Sequence, residues 1–371
     1  MTVVARRQTA MPSNRPARNI LGDPIVQHGD PILVTGSNGF IGSRVVEALL
    51  LHGFTRLRCL VRPSSNLTGL ERILDRSDRA SVEIVEGNLL SPDDCRRATD
   101  GARLVYHLAA GRGDKSYPSA YLNSVVATRN LLDAVRANPR LERIVCVSSF
   151  TVYSALKLKP GALLNEACEM EDQPHRRGEA YCYAKVRQEE LFRDYAHKYN
   201  IPYVIARPGV VYGPGNRGIP GRVGISNFGI FLHLGGGNQL PLSYVSNCAE
   251  AIVLAGLTAG VDRQIFNIVD DDLPTSRAFL TLYKRHALPF RSIYVPHALS
   301  SLLCYLWERY SLWSGGQLPP VFNRRKHAAY WKGHRYSNEK IKTQLGWEPT
   351  MSSAEALSHY FESERHLRSS R

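Results

Sequence analysis

Residues 31–53, PILVTGSNGFIGSRVVEALLLHG, constrain the fold of this chain more than any other stretch. Ile32, Leu33 and Val34 form an unbroken apolar run, as in a strand buried on both faces of a parallel sheet. Gly36, Gly39 and Gly42 follow at intervals of three, and Val45, Val46, Leu49 and Leu50 then recur at helical spacing. The segment reads strand, glycine turn, helix. Such a turn lets the backbone approach a pyrophosphate, while the helix N-terminus offers free N–H groups and partial positive charge. A glycine triplet alone is weak; its place after a buried strand and before a helix is what points to a dinucleotide.

The alternation continues downstream. Apolar runs occur in LRCLVR, ending at Arg62, then in VEIVEGNLL, ARLVYHLAAG, RIVCVSSF, YVIARPGVVYG and QIFNIVD (264–270). Helical patterns, SVVATRNLLDAVRAN and YCYAKVRQEELFRDYAHKY, lie between them. Strands alternating with helices predict an α/β fold, a Rossmann-type doubly wound parallel sheet. Glycine and proline accumulate from about residue 209, in GPGNRGIPGRVG and LGGGNQLP, which predicts a smaller C-terminal substrate-binding domain. The expected division is a basic disordered tail at 1–28, a dinucleotide-binding domain at 29–208, a mainly substrate-binding part at 209–350 whose 264–270 strand returns to the sheet, and a C-terminal helix and tail at 351–371. YSNEKIKTQLGWEPT reads as a short helix closed by Gly346 and Pro349.

Bulk properties narrow the class. The chain has 371 residues and 43% hydrophobic content, enough for a sizeable core. Its formal charge is +14, but basic residues are scattered apart from short clusters such as Arg324, Arg325 and Lys326. The charge is read as a solvated surface with one anionic-ligand site, and nucleic acid is not an expected partner. Seven cysteines, with no C-x-x-C spacing, argue against a disulfide framework or structural zinc and for a reducing, cytoplasmic setting. No cluster has metal-ligand spacing, so no metal is expected. The N-terminus has arginines but no apolar signal core. HALSSLLCYLWERYSLW (297–313) is too short to span a bilayer and contains Glu308 and Arg309. It is suited to lying on a membrane surface or to covering a substrate pocket.

Candidate chemistry gathers at predicted strand ends, where ligands of such sheets bind. Arg62, followed by Pro63, Ser64 and Ser65, replaces the acidic residue that would hold a ribose 2′-hydroxyl, so NADP is favoured over NAD. Ser149 ends the fifth strand with Ser148 as its competitor; either hydroxyl can bond a substrate oxygen. In YCYAK, Tyr181 and Lys185 stand four apart, on one helical face. A phenol titrates near ~10, too high for a base at neutral pH, unless an ammonium and a nicotinamide cation stabilise the phenolate. His107 reads as a packed strand-end residue, and Glu166, Glu169, Glu171 and Asp172 as a solvated acidic loop.

Taken in order, TGSNGFIG, GNLL, HLAAG, NSVVATRNLL, VSSFTVY, YCYAK, RPGVVYGPG and LGWEP resemble the extended short-chain dehydrogenase/reductases over about residues 30–350. The look is that of the 3β-hydroxysteroid dehydrogenase-like branch of the NAD-dependent epimerase/dehydratase superfamily. The resemblance implies catalytic roles for Ser149, Tyr181 and Lys185. It implies cofactor contacts at Gly36, Gly39, Phe40, Ile41, Gly42, Arg62, Asn88, Leu89, Ala109 and Lys185. Asn123 resembles a helix asparagine that holds a proton-relay water in some members, and a helix-pair homodimer is common among such proteins. Two departures stand out. Asn88-Leu89 replaces an adenine-contacting aspartate-leucine, and QLPLSYVSN lacks the pyrophosphate-gripping arginine and carries Asn247 for aspartate. Arg222 and Arg291 are alternative sources of such a grip.

The expected function is an NAD(P)-dependent oxidoreductase interconverting a secondary alcohol and a ketone on a small sterol-like or other lipophilic substrate. A nucleotide-sugar epimerase or dehydratase with a recycled cofactor is the alternative. A non-catalytic dinucleotide sensor is the alternative of another class.

Overall fold

The computed structural model describes residues 22–75, 82–111, 116–216, 218–227, 229–315 and 317–369. Most of the expected N-terminal tail lies outside the described residues. Within the rest of it, Val26 is buried and Ile25 N–H donates to Leu257 O (3.0 Å), so the chain is anchored before residue 29.

Seven strands build the main sheet: β1 (Ile32–Thr35), β2 (Leu57–Val61), β3 (Val82–Glu86), β4 (Leu104–His107), β5 (Arg143–Val147), β6 (Tyr203–Pro208) and β7 (Ile265–Ile268). Their order is β7-β6-β5-β4-β1-β2-β3, and every pair is parallel. The strand order reverses between β1 and β4. In an open parallel sheet that reversal opens a crevice beyond the carboxyl ends of the strands.

Both faces of the sheet are covered, as the apolar runs require. Within β1, Ile32 and Val34 join the core under the helices Phe40–Leu51 and Val245–Leu257, while Leu33 joins the core on the opposite face. There Leu131, Leu132 and Val135 of helix Ala127–Arg136 meet Phe192 and Ala196 of helix Ala180–Lys198. Each fully buried side chain of this kind stabilises the fold by roughly 1.5–3 kcal/mol. Two short helices not read from the sequence, Thr68–Leu74 and Pro92–Thr99, follow β2 and β3. Gly346 (φ +62) closes helix Glu339–Leu345, as expected.

Outside the sheet, strands Gly224–Asn227, Ile230–Leu234 and Ser292–Val295 form a small sheet, and helix His297–Trp313 packs on helix Arg324–Trp331. Two surface expectations need correction. Glu171 of the supposed solvated loop is buried and paired with Arg325, which also holds Asp172 at 2.8 Å, and Glu166 accepts from Asn267 N–H (2.8 Å). The Arg324–Lys326 cluster is neutralised in the same way: Arg324 pairs with Glu308 (3.1 Å) and Lys326 faces Glu179 (3.9 Å). Sequence-distant partners, not local composition, set the charge of these segments.

Candidate active site

The glycine turn lies at the β1/β4 crevice. Gly36 has φ +69, and a Cβ there would lie 2.9 Å from Ala109 N. A Cβ on Gly42 would lie 2.0 Å from Gly36 O, so the helix start sits directly on the turn. Gly39 precedes helix Phe40–Leu51 with no side-chain cap, which leaves the helix N–H groups for another acceptor. The three glycines thus form a backbone cradle with no side-chain filling, suited to a pyrophosphate.

Two cavities meet at this cradle and share Gly36, Gly39, Leu108, Ala110 and Gly111. One, of about 600 Å³, runs past the ends of β2 and β3, with Arg62, Asn88, Leu89, Ala109 and Asn123 on its walls. Arg62 is exposed at its rim. The Asn88 side-chain oxygen accepts from Leu90 N–H (3.0 Å), and Ala109 N–H donates to Thr35 Oγ1 (3.3 Å). Asn123 stands in a widened helical turn, Leu122–Val126, and donates to Ser119 O (2.9 Å).

The other cavity, of about 620 Å³, holds Phe40, Ile41, Gly42, Ser149, Tyr181 and Lys185 on its walls. Both candidate serines, Ser148 and Ser149, line it, but their hydrogen-bond partners differ. Ser148 Oγ donates to the buried Glu189 carboxylate (2.6 Å), which Arg207 grips through its Nε (3.1 Å) and a terminal nitrogen. Ser148 is thereby committed to a buried ion pair. Ser149 Oγ accepts from Thr151 N–H (3.2 Å) and lies beside the Tyr181 phenol.

Lys185 is 4% exposed, and its Nζ donates to Val147 O (2.8 Å) and Gln188 Oε1 (2.9 Å). Gln188 Nε2 donates to Thr128 Oγ1 (2.8 Å), which bonds His107 Nε2 (2.8 Å); His107 Nδ1 in turn bonds Thr35 Oγ1 (2.8 Å). Burial lowers the Lys185 ammonium to about 8, with Cys146 and Glu189 acting the other way. Burial, reinforced by the Lys185 charge, lowers His107 to about 3, so this imidazole is a neutral packed link, as its sequence position suggested. Burial pushes the Tyr181 phenol above its ordinary value and Ser149 opposes the rise. The protein's own groups therefore do not turn the phenol into a base. The expected lowering needs cationic charge brought by a ligand.

Sequence reasoning missed several walls of this cavity. Asn216, Pro220 and Gly221 arrive from the glycine-rich segment, and Tyr330 arrives from helix Arg324–Trp331. Arg222, one of two arginines considered for a pyrophosphate grip, does line the cavity, with one nitrogen bound to Ala329 O and its guanidinium 5.2 Å from the Tyr330 ring. Arg291 is exposed and is not among the lining residues. Asn247 donates to Asp270 (2.9 Å) and accepts from Thr350 (2.8 Å), which ties its helix to the C-terminal segment. None of residues 297–313 is among the lining residues of either cavity.

Residues 32–268 match the NAD dependent epimerase/dehydratase family. The chain is 28% identical over 189 residues to cinnamoyl-CoA reductase 1 of Petunia hybrida, a match covering 50% of this chain and 56% of that protein. It is 24% identical over 361 residues to the decarboxylating sterol-4-alpha-carboxylate 3-dehydrogenase of Mus musculus, covering 90% of this chain and 91% of the relative. Its fold resembles that of UDP-glucuronic acid 4-epimerase from Bacillus cereus, solved with UDP-glucuronic acid and NAD, at a TM-score of 0.67 and 19% identity, covering 91% of this chain and 99% of the other.

Proposed function

The chain belongs to the NAD dependent epimerase/dehydratase family and is an enzyme of the extended short-chain dehydrogenase/reductase type; from that premise we propose that it interconverts a secondary alcohol and a ketone on a lipophilic, sterol-like substrate, with NADP as cofactor. The observation that carries this reading is the convergence of Ser149, Tyr181 and Lys185 on a cavity whose other walls include Phe40, Phe150, Val210, Val211, Pro220 and Tyr330. The long match to a sterol dehydrogenase supports the substrate class.

The backbone cradle at Gly36, Gly39 and Gly42 fits a pyrophosphate, and Arg62 at the end of β2 suits a 2′-phosphate. Asn88, Leu89 and Ala109 would flank the adenosine half, and Phe40, Ile41 and Lys185 the nicotinamide half. A nicotinamide bound there supplies hydride acceptance or donation. The protein does the rest. Ser149 orients the substrate oxygen by a hydrogen bond. Tyr181 takes the carbinol proton at its phenolic oxygen during oxidation and returns it during reduction. Lys185, held by Val147 O and Gln188, places positive charge one helical turn from the phenol and offers a donor to the cofactor ribose.

Arg222 favours a second reading, a nucleotide-sugar epimerase or dehydratase, because it brings a cation to the same cavity. In that reaction the cofactor is recycled without net change. Tyr181→Phe tests the shared core of both readings: turnover should fall by roughly 10²–10⁴-fold with cofactor binding, followed by fluorescence quenching, intact. Full activity in that variant would refute the site.

A further inference from the structure

We infer that helix His297–Trp313 docks this enzyme onto an anionic lipid bilayer. In an ordinary surface helix the apolar stripe faces the core and the polar residues face water. Here the arrangement is displaced. Ser300, Cys304 and Ser311 are the buried residues of the helix, and Ser300 Oγ bonds His327 Nε2 (2.9 Å) on the helix below. Leu299, Leu302, Leu303, Leu306, Tyr310 and Trp313 recur at helical spacing on one exposed face. Leu302 and Leu306 are each 52% exposed and Trp313 is 81% exposed. Tyr310 and Trp313 stack at 5.7 Å, and Ile293 and Tyr294 of the preceding strand are exposed as well. A monomer rarely leaves so contiguous a patch to water.

Charge selects the occupant. Between Lys284 and Arg335 the sequence has nine lysines and arginines and one acidic residue, Glu308. Glu171, Asp172 and Glu179, which face Arg325 and Lys326 from outside the segment, reduce its net +8 to +5 (8 − 3 = 5). Arg285, Arg291 and Arg309 are exposed, Arg277 lies over the Tyr294 ring at 5.3 Å and Arg324 over the Tyr305 ring at 5.2 Å. An isologous contact between two copies would bring these like charges together. An anionic headgroup layer instead attracts them while the leucines enter the acyl boundary and the aromatic rings sit at headgroup level. At 17 residues, with Glu308 and Arg309 inside it, the helix lies in the interface and does not cross it. The helix beneath it carries Tyr330 to the cavity wall, so docking would place the substrate site one layer of helix from the lipid. Docking is independent of which substrate the cavity takes.

The test is co-sedimentation of the full chain with vesicles of phosphatidylcholine alone or with about one-third phosphatidylserine. The expected result is binding to the anionic vesicles, weakened by high salt, with a blue shift in tryptophan emission that Trp313→Phe abolishes. The paired change Leu302→Glu and Leu306→Glu should lower partitioning by roughly a hundredfold, with circular dichroism and cofactor binding unchanged. No binding overturns the proposal, as does binding indifferent to salt or to the paired change. A dimer seen by light scattering that the paired change dissolves would assign the face to a second copy and overturn it as well.

Discussion

Lys185→Met replaces a buried ammonium with an uncharged side chain of similar length, and its effect on stability should depend on pH. Lys185 is 4% exposed, and burial lowers it from 10.5 to about 8 in the folded protein. The unfolded chain keeps the ordinary value, so the gap is about 2.5 pH units, worth about 3 kcal/mol at 1.36 kcal/mol per unit. Below about pH 8 both states are protonated, and the folded protein bears the whole cost of the buried charge. Between about 8 and 10.5 the folded lysine releases its proton while the unfolded lysine keeps it, so stability rises with pH. Methionine has no such dependence. The unfolding free energy of the native protein minus that of Lys185→Met should therefore rise by about 2 kcal/mol between about pH 7 and about pH 9.5. Buried thiols such as Cys59 and Cys248, pushed up to about 12, lose stability over the same range, but both proteins contain them and they cancel in the difference. Urea unfolding followed by tryptophan fluorescence at several pH values measures it. A difference that stays flat would mean that Lys185 is not a buried cation, and its proposed place as a positive charge one helical turn from Tyr181 would fall with it.

Three further outcomes are expected. Ser148→Ala should destabilise the fold by about 1–3 kcal/mol, because it removes a donor from the buried Glu189–Arg207 pair, with kcat affected less than stability. Ser149→Ala should do the reverse, lowering kcat with little change in the urea midpoint; the opposite pattern would exchange the two serines' roles. Arg62→Glu should move the ratio of kcat/KM for NADP over NAD by about tenfold or more toward NAD, consistent with loss of one charge-assisted contact; an unchanged ratio would remove Arg62 from cofactor choice.

The parts of the fold that are local in sequence were legible there. Ile32-Leu33-Val34 and the glycine triplet locate β1 and its turn, because a buried strand and a tight turn each leave a short-range signature. The same holds for the strand ends at Arg62, Asn88 and Ser149, and for Tyr181 and Lys185, whose helical spacing alone places them together. What was not legible depends on pairing across long separations. Glu171 meets Arg325 and Tyr330 joins Arg222 at the cavity wall only after the C-terminal helices dock, and no local pattern encodes that contact. Asn247 shows the same limit: its partners, Asp270 and Thr350, lie far along the chain and no local pattern names them. For helix His297–Trp313 the apolar content was plain, but the direction of its apolar face is set by the buried contacts of Ser300 and Cys304.

The central claim, a net oxidoreductase acting on a lipophilic alcohol or ketone, is tested most directly by incubating the purified protein with NADP⁺ or NAD⁺ and panels of sterols and nucleotide sugars. Absorbance of reduced nicotinamide and product mass are read together. The account predicts reduced cofactor accumulating in step with a ketone formed from a sterol. An isomerised or dehydrated sugar, with no net reduced cofactor, would contradict it and establish the epimerase or dehydratase reading in its place.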